Sequence, residues 1–310
     1  MVRRIQSGSV ARLRLAARQA AALTWATVTE AIQQPLALLL LLTSVLTTLL
    51  VPVFQFHRFG EDGRLARDSG LSCMLVFGLV LAAGTAGRSV AGEIASGTAA
   101  AAIGKPVSRT TFLLAKWAGV CGVVKVFWVA TLAATLAAER GSARFVEQEG
   151  FTGYATDALT IALGVAGAAL ALGVAGAAHY FWRRRFGVAA FLGVALSQVA
   201  ALAVSEVCGR WFGSRGEAAC SAGCGVEGHA HGAAEGWLAY QPPLNLRVVA
   251  AAVLVLLALA VFAALATALA TRLQTGPALA VCALVLLAGL AGDSFAGGAG
   301  GLSVRGLAAG

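Results

Sequence analysis

Charge is what this chain has least of. Only 12% of its 310 residues are Asp, Glu, Lys or Arg, while 59% are apolar and the mean hydropathy is +0.82. A water-soluble domain carries about 25% charged residues, so this composition excludes an ordinary globular surface. Groupings that do chemistry are scarce too. No Ser/His/Asp arrangement or carboxylate pair stands out, and no enzymatic activity is expected of the chain. A phosphate-binding loop is also missing: Gly104-Lys105 has no glycine five positions before it, and Pro106 stands where Ser or Thr would hold Mg²⁺. The formal net charge of +9 is not gathered into a basic stripe with interleaved aromatics, which argues against nucleic acid. Nor is a cleavable leader expected. Arg3, Arg4, Arg12, Arg14 and Arg18 are spread out, with no apolar core of about 7–15 residues running to a small-residue cleavage site.

Long apolar runs are what the chain has in their place. Several exceed the ~18 residues needed to cross a hydrocarbon core. They predict an all-α fold, a polytopic transmembrane helical bundle of about six or seven spans. The spans are expected at 35–54, 71–91, 112–138, 157–181, 187–206, 248–270 and 277–292. Residues 1–34 read as a basic segment whose helix, with Leu13, Leu15, Leu23, Trp25 and Val28 at loose helical spacing, lies in the membrane interface. The transmembrane domain then covers 35–296, with an outer loop at about 207–247, and the glycine-rich tail 297–310 resembles a loop cut short. In the fourth span Gly164, Gly167, Gly173 and Gly176 offer small faces, expected to serve internal packing more than a dimer seam.

Loop charges orient the spans. With the N-terminus inside, the cytoplasmic side receives the N-terminal arginines, Arg88, Lys105, Arg109, Lys116, the Arg183–Arg184–Arg185 run and Arg272, against Glu30 and Glu93 alone. Glu139 and most other acids fall outside, among them Asp157 and Glu206 at span ends, where hydration is expected to satisfy those two. This is the positive-inside pattern, and the triple arginine in a very short loop weighs most.

Between the second and third runs stands AGEIASGTAAAAIGKPVSRTTFLLAKWAGV, Ala91 to Val120, polar and glycine-punctuated. Gly92–Ile103 reads as a short alanine-rich helix broken at Gly104-Lys105-Pro106, since Pro106 biases Lys105 away from the α region. Ser108 then caps a new helix entering the membrane. The product is a rigid elbow on the cytoplasmic side.

These residues resemble a family. Glu93, Ile94, Ser96, Gly97 and Thr98, then Lys105, Pro106, Val107, Ser108 and Arg109, then Leu113, Leu114 and Lys116 look like the loop after the second span of ABC-2 type transporter permeases. The strong likeness covers about thirty residues. It implies that the loop is a coupling helix docking on a separate cytoplasmic ATPase subunit, which binds the ATP and Mg²⁺, and that two permease copies join two ATPases. Glu93, Ser96, Gly97, Thr98, Lys105, Pro106, Ser108 and Arg109 would make the ATPase contact. A bacterial cytoplasmic membrane is the implied location. The resemblance also implies six spans and a cytoplasmic C-terminus, which the seven runs do not match.

Other readings remain beside this one. The chain would serve as a non-transporting scaffold if the elbow merely anchored a soluble partner. An ion-driven transporter would carry more intramembrane acids and interrupted helices at matching positions of two halves. Lys125, near the middle of the third span, either lines a translocation path or lays its stem along the helix toward a carbonyl or the interface. In the outer loop Cys220, Cys224, His229 and His231 are soft and imidazole ligands suited to zinc or copper. Their spacing is not a standard zinc one. In an oxidising exterior two of Cys208, Cys220 and Cys224 would pair instead. Cys73, Cys121 and Cys282, inside spans, are expected to be inert packing residues.

Overall fold

A computed structural model of the chain describes residues 18–54, 62–92, 109–142, 144–148, 151–155, 158–183, 185–221 and 247–306. The elements in order are α1 (Arg18–Ile32), α2 (Pro35–Leu50), α3 (Asp62–Ala86) and a π-helical turn (Gly87–Ala91). Then come α4 (Arg109–Gly141), a hairpin of β1 (Arg144–Gln148) and β2 (Phe151–Ala155), α5 (Ala158–Trp182), α6 (Phe186–Ser221), α7 (Arg247–Leu269) and α8 (Thr275–Gly306). The fold is a polytopic helical bundle of an integral membrane protein.

Five helical stretches are long and apolar enough to cross a membrane: Gly63–Val90, Thr110–Gly141, Leu159–Trp182, Phe186–Cys208 and Arg247–Leu269. The first and last of the seven expected spans fall short by themselves. Pro35–Leu50 has 16 residues, about 24 Å at 1.5 Å per residue, against a core of about 30 Å. It passes the same test only jointly with α1, from which it bends by 66°. The apolar part of α8, Thr275–Ala291, is likewise short. The bend lies at Gln33-Gln34, where Pro35 cannot continue the hydrogen-bond ladder of α1 and instead opens α2 at its first turn.

Helix α4 is the centre, touching α2, α3, α5, α6 and α7. Its faces serve two cores. Val123, Phe127 and Ala130 join Leu41, Val45, Leu49, Met74, Phe191 and Val194, while Val120 and Val124 join Leu79, Ala82, Leu259, Ala263 and Cys282. Indole N–H groups tie α4 to α7: Trp117 donates to the Ala260 carbonyl at 3.2 Å and Trp128 to that of Ala252 at 2.7 Å. With few large residues to interlock, close approach depends on small ones. A side chain at Gly119 would meet Thr27 of α1 at 2.6 Å, and one at Gly78 would meet Leu259 of α7 at 2.6 Å. The fourth-span glycines divide. Gly164 lies against Leu49 and Gly167 faces Ser197, but Gly173 and Gly176 face open space, so only half of the expected packing stripe packs.

Several boundaries differ from expectation. Helix α6 runs on to Ser221, so Cys208 lies in a helix and not in a loop beginning at 207. Gly209, Arg210, Arg215 and Glu217 end the apolar run without ending the helix. Helix α8 continues through Gly306 across most of the expected tail, whose glycines are weak helix formers and so read as a loop. The β1–β2 hairpin, antiparallel with Arg144 opposite Ala155 and Gln148 opposite Phe151, interrupts what reads as a plain outer loop. Cys73 and Cys121 are half-buried and Cys282 buried, all three as free thiols.

Candidate functional site

The two ends of the bundle differ in chemistry. One end gathers α1, the π-helical turn, the start of α4, the α5–α6 corner and the α7–α8 turn. Contacts fix that gathering. The hydroxyl of Thr24 on α1 reaches the Ala115 carbonyl of α4 at 3.3 Å. A side chain at Gly187, opening α6, would meet the Gln33 backbone at 3.1 Å, and one at Gly87 would meet Thr275 of α8 at 2.5 Å. Arg18, Arg88, Lys116, Arg183, Arg185 and Arg272 all belong here, and Glu30 is the one acid of this end among the described residues.

From this end the elbow segment leaves and returns. Its outgoing stem is the π-helical turn, which passes into Gly92. Wide turns of this kind are rare and collect at functional positions. Val90 is 2% exposed and Ser89 1%, the latter with its hydroxyl on the Ala86 carbonyl at 3.2 Å, while Arg88 points outward. The returning stem is the first turn of α4, beginning at Arg109. Within it Lys116 is only 3% exposed, with its ammonium 5.8 Å from the Phe112 ring centre, one turn earlier. That is cation–π range, and it places Lys116 inside the helix packing and not in a solvated loop. Of the expected ATPase contacts, Arg109 opens α4, whereas Glu93, Ser96, Gly97, Thr98, Lys105, Pro106 and Ser108 lie outside the described residues.

The outgoing stem supports a first prediction. A Cβ at Gly87 would stand 2.5–2.8 Å from three atoms of the Thr275 side chain. Gly87→Val should therefore push the start of α8 off the stem and cost about 1–3 kcal/mol, as overpacking does. Detergent unfolding of the purified variant measures it, and an unchanged midpoint would mean that α8 does not brace the elbow.

Lys125 is exposed on the one face of α4 that the bundle leaves open, between Leu114 and Val129 at helical spacing. Trp128 and Gly122 flank it, the first bonded to α7 and the second so placed that an added side chain would meet Val28 of α1 at 3.1 Å. A mid-span ammonium on lipid would cost ~2.5–3.5 kcal/mol on insertion scales, so this face is the natural one for water or another chain.

At the opposite end stands a feature that the sequence reading passed over. Arg140, 5% exposed at the end of α4, donates through Nη1 to Glu206 Oε1 on α6. Glu139 beside it is 6% exposed and Ser142 1%, the Ser142 hydroxyl bonding the Glu139 carbonyl at 2.6 Å. Below, Gln198 donates to the Gly164 carbonyl at 3.0 Å, deep between α5 and α6. Glu206 is therefore not simply hydrated at a span end: it holds a buried guanidinium. One signal was available, namely opposite charges at the same expected level of the third and fifth spans.

The expected metal ligands are not brought together in what is described. Cys220 lies in α6, and Cys224, His229 and His231 lie outside the described residues. Among the described residues no three His, Cys, Asp or Glu groups cluster. No protein-family profile, curated protein sequence or solved structure matches this chain. The resemblance to ABC-2 permeases rests on the sequence of residues 93–116 alone.

Proposed function

We propose that the chain is a permease subunit of an ATP-driven transporter, moved by a separate cytoplasmic ATPase that grips residues 93–109. The observation carrying this reading is the pair of stems. The motif-bearing segment joins the bundle at Gly92, itself exposed, and at Arg109; behind the first the π-helical turn touches α7 and α8, and behind the second Ala115 accepts a hydrogen bond from Thr24 of α1. A push on such a segment reaches α3, α8, α4 and α1 together, as coupling to a rocking bundle requires. The arginine bias favours the cytoplasm for that end and for the N-terminus. The open face of α4 with Lys125 suits a second permease copy across a hydrated path.

Purification of the tagged chain from its native membrane tests the proposal. An ATPase subunit should co-purify, and the complex should hydrolyse ATP and move solute in vesicles. A partner without vectorial flux would instead make the chain a scaffold.

A further inference from the structure

Helices α5 and α6 pack against each other. An added side chain at Gly167 would make ordinary contact with Ser197 at 3.4 Å, and one at Gly193 with Ala171 at 3.5 Å. On the outer side of the bundle this pairing leaves a groove of about 520 Å³. Alanines and glycines floor it, Leu170 and Leu196 wall it, each 69% exposed, and Ser197 is its one hydroxyl. It runs from Leu163 to Ala178 on α5 and from Val204 to Ala189 on α6. That is about 22 Å at the helical rise, deeper than one leaflet of a core about 30 Å thick.

The groove closes on the arginine corner. Ala178 and Ala189, its last lining residues at that end, lead within a turn or so into Arg183–Arg184–Arg185, which joins the two helices. Arg183 and Arg185 are exposed, and so are Tyr180, Phe181 and Trp182, aromatic residues of the kind that gather at headgroup depth. No Asp or Glu occurs from Ala158 to Ser205, and the nearest described acid of this end is Glu30 on α1. Arg183 also has φ of 48°, the left-handed region in which glycine ordinarily closes a helix. In a chain with 38 glycines, a guanidinium stands where the backbone would favour one.

We propose that this groove seats an acyl chain of an anionic glycerophospholipid, with its phosphate held by Arg183 and Arg185. The apolar lining suits hydrocarbon and excludes most else, while a basic corner between helices selects anionic headgroups. A second copy fits worse. Two subunits sharing this face side by side in one membrane would bring their arginine corners together, which is a like-charge contact.

Native mass spectrometry of the purified chain, titrated with phosphatidylglycerol or phosphatidylcholine of equal chain length, reads the site. The intact chain should retain phosphatidylglycerol at least tenfold more tightly. Arg183→Gly should remove that preference while leaving the unfolding temperature equal or higher, because glycine relieves the left-handed corner. Ala200→Phe, filling the groove from an exposed lining position, should weaken retention of both lipids; Leu196→Ala, which lowers a wall, does the same should the larger side chain misfold. Millimolar inorganic phosphate should not displace the lipid, since the chain seat supplies part of the affinity. Equal retention of the two lipids, an unchanged preference in Arg183→Gly, or displacement by phosphate alone would overturn the proposal. So would efficient disulfide cross-linking of two Ala200→Cys chains in membranes, which would give the groove to a second copy.

Discussion

Glu206→Gln should destabilise the protein by about 3–5 kcal/mol, the usual cost of removing one partner from a buried ion pair. The reason is the guanidinium left behind. The Arg140 side chain is 4% exposed and that of Glu206 23%, so the arginine is the more deeply desolvated of the two. Water reaches Glu206 far more readily than it reaches Arg140, and glutamine presents a dipole where the arginine needs a charge. The pair also joins α4 to α6 across 66 residues of sequence, just before the hairpin. Replacing both partners with apolar residues, as in Arg140→Met with Glu206→Leu, should restore most of the loss, because the guanidinium is then no longer buried without the Glu206 carboxylate. Unfolding in mixed detergent micelles measures all three proteins. A single variant within about 0.5 kcal/mol of the parent, the range of ordinary surface changes, would show that the pair is not needed to hold α4 on α6.

Glu93→Lys and Pro106→Leu should each abolish ATP-driven transport while insertion and yield stay normal. Both residues lie outside the described residues, and neither change alters an apolar span on which insertion depends. The first reverses charge on the segment proposed to dock. The second frees Lys105 to adopt helical backbone, removing the break expected from the sequence at Gly104-Lys105-Pro106. The loss should appear as ATPase activity no longer stimulated in the reconstituted complex. Transport at the parental rate in both variants would remove the coupling role from this segment.

Much of the bundle was legible in the sequence because its spans are long, apolar and bounded by charge. The expected spans 157–181 and 248–270 compare with Ala158–Trp182 and Arg247–Leu269. The failures share a cause. Hydropathy reports where lipid ends, not where the backbone stops being helical, so α6 and α8 overran their apolar stretches. Helix α2 failed in the other direction: its apolar run outlasts its helix, which gives way to turns from Val51 to Phe54. The hairpin was invisible because five-residue strands between charged residues carry little periodicity. At the site, residues 93–108 lie outside the described residues, so the elbow remains an expectation from glycine, proline and charge. The burial of Lys116 and the pairing of Arg140 with Glu206 could not be read from the sequence, because partners distant in sequence decide both.

Sided labelling of Lys105 tests the central claim most directly. The residue would be changed to cysteine in a chain whose six native cysteines are replaced by alanine. A membrane-impermeant maleimide is then applied to right-side-out and to inverted vesicles. The elbow account predicts modification in inverted vesicles only, with protection when the ATPase is bound. Modification only from the outer face would place the segment on the wrong side of the membrane for any cytoplasmic ATPase and contradict the account.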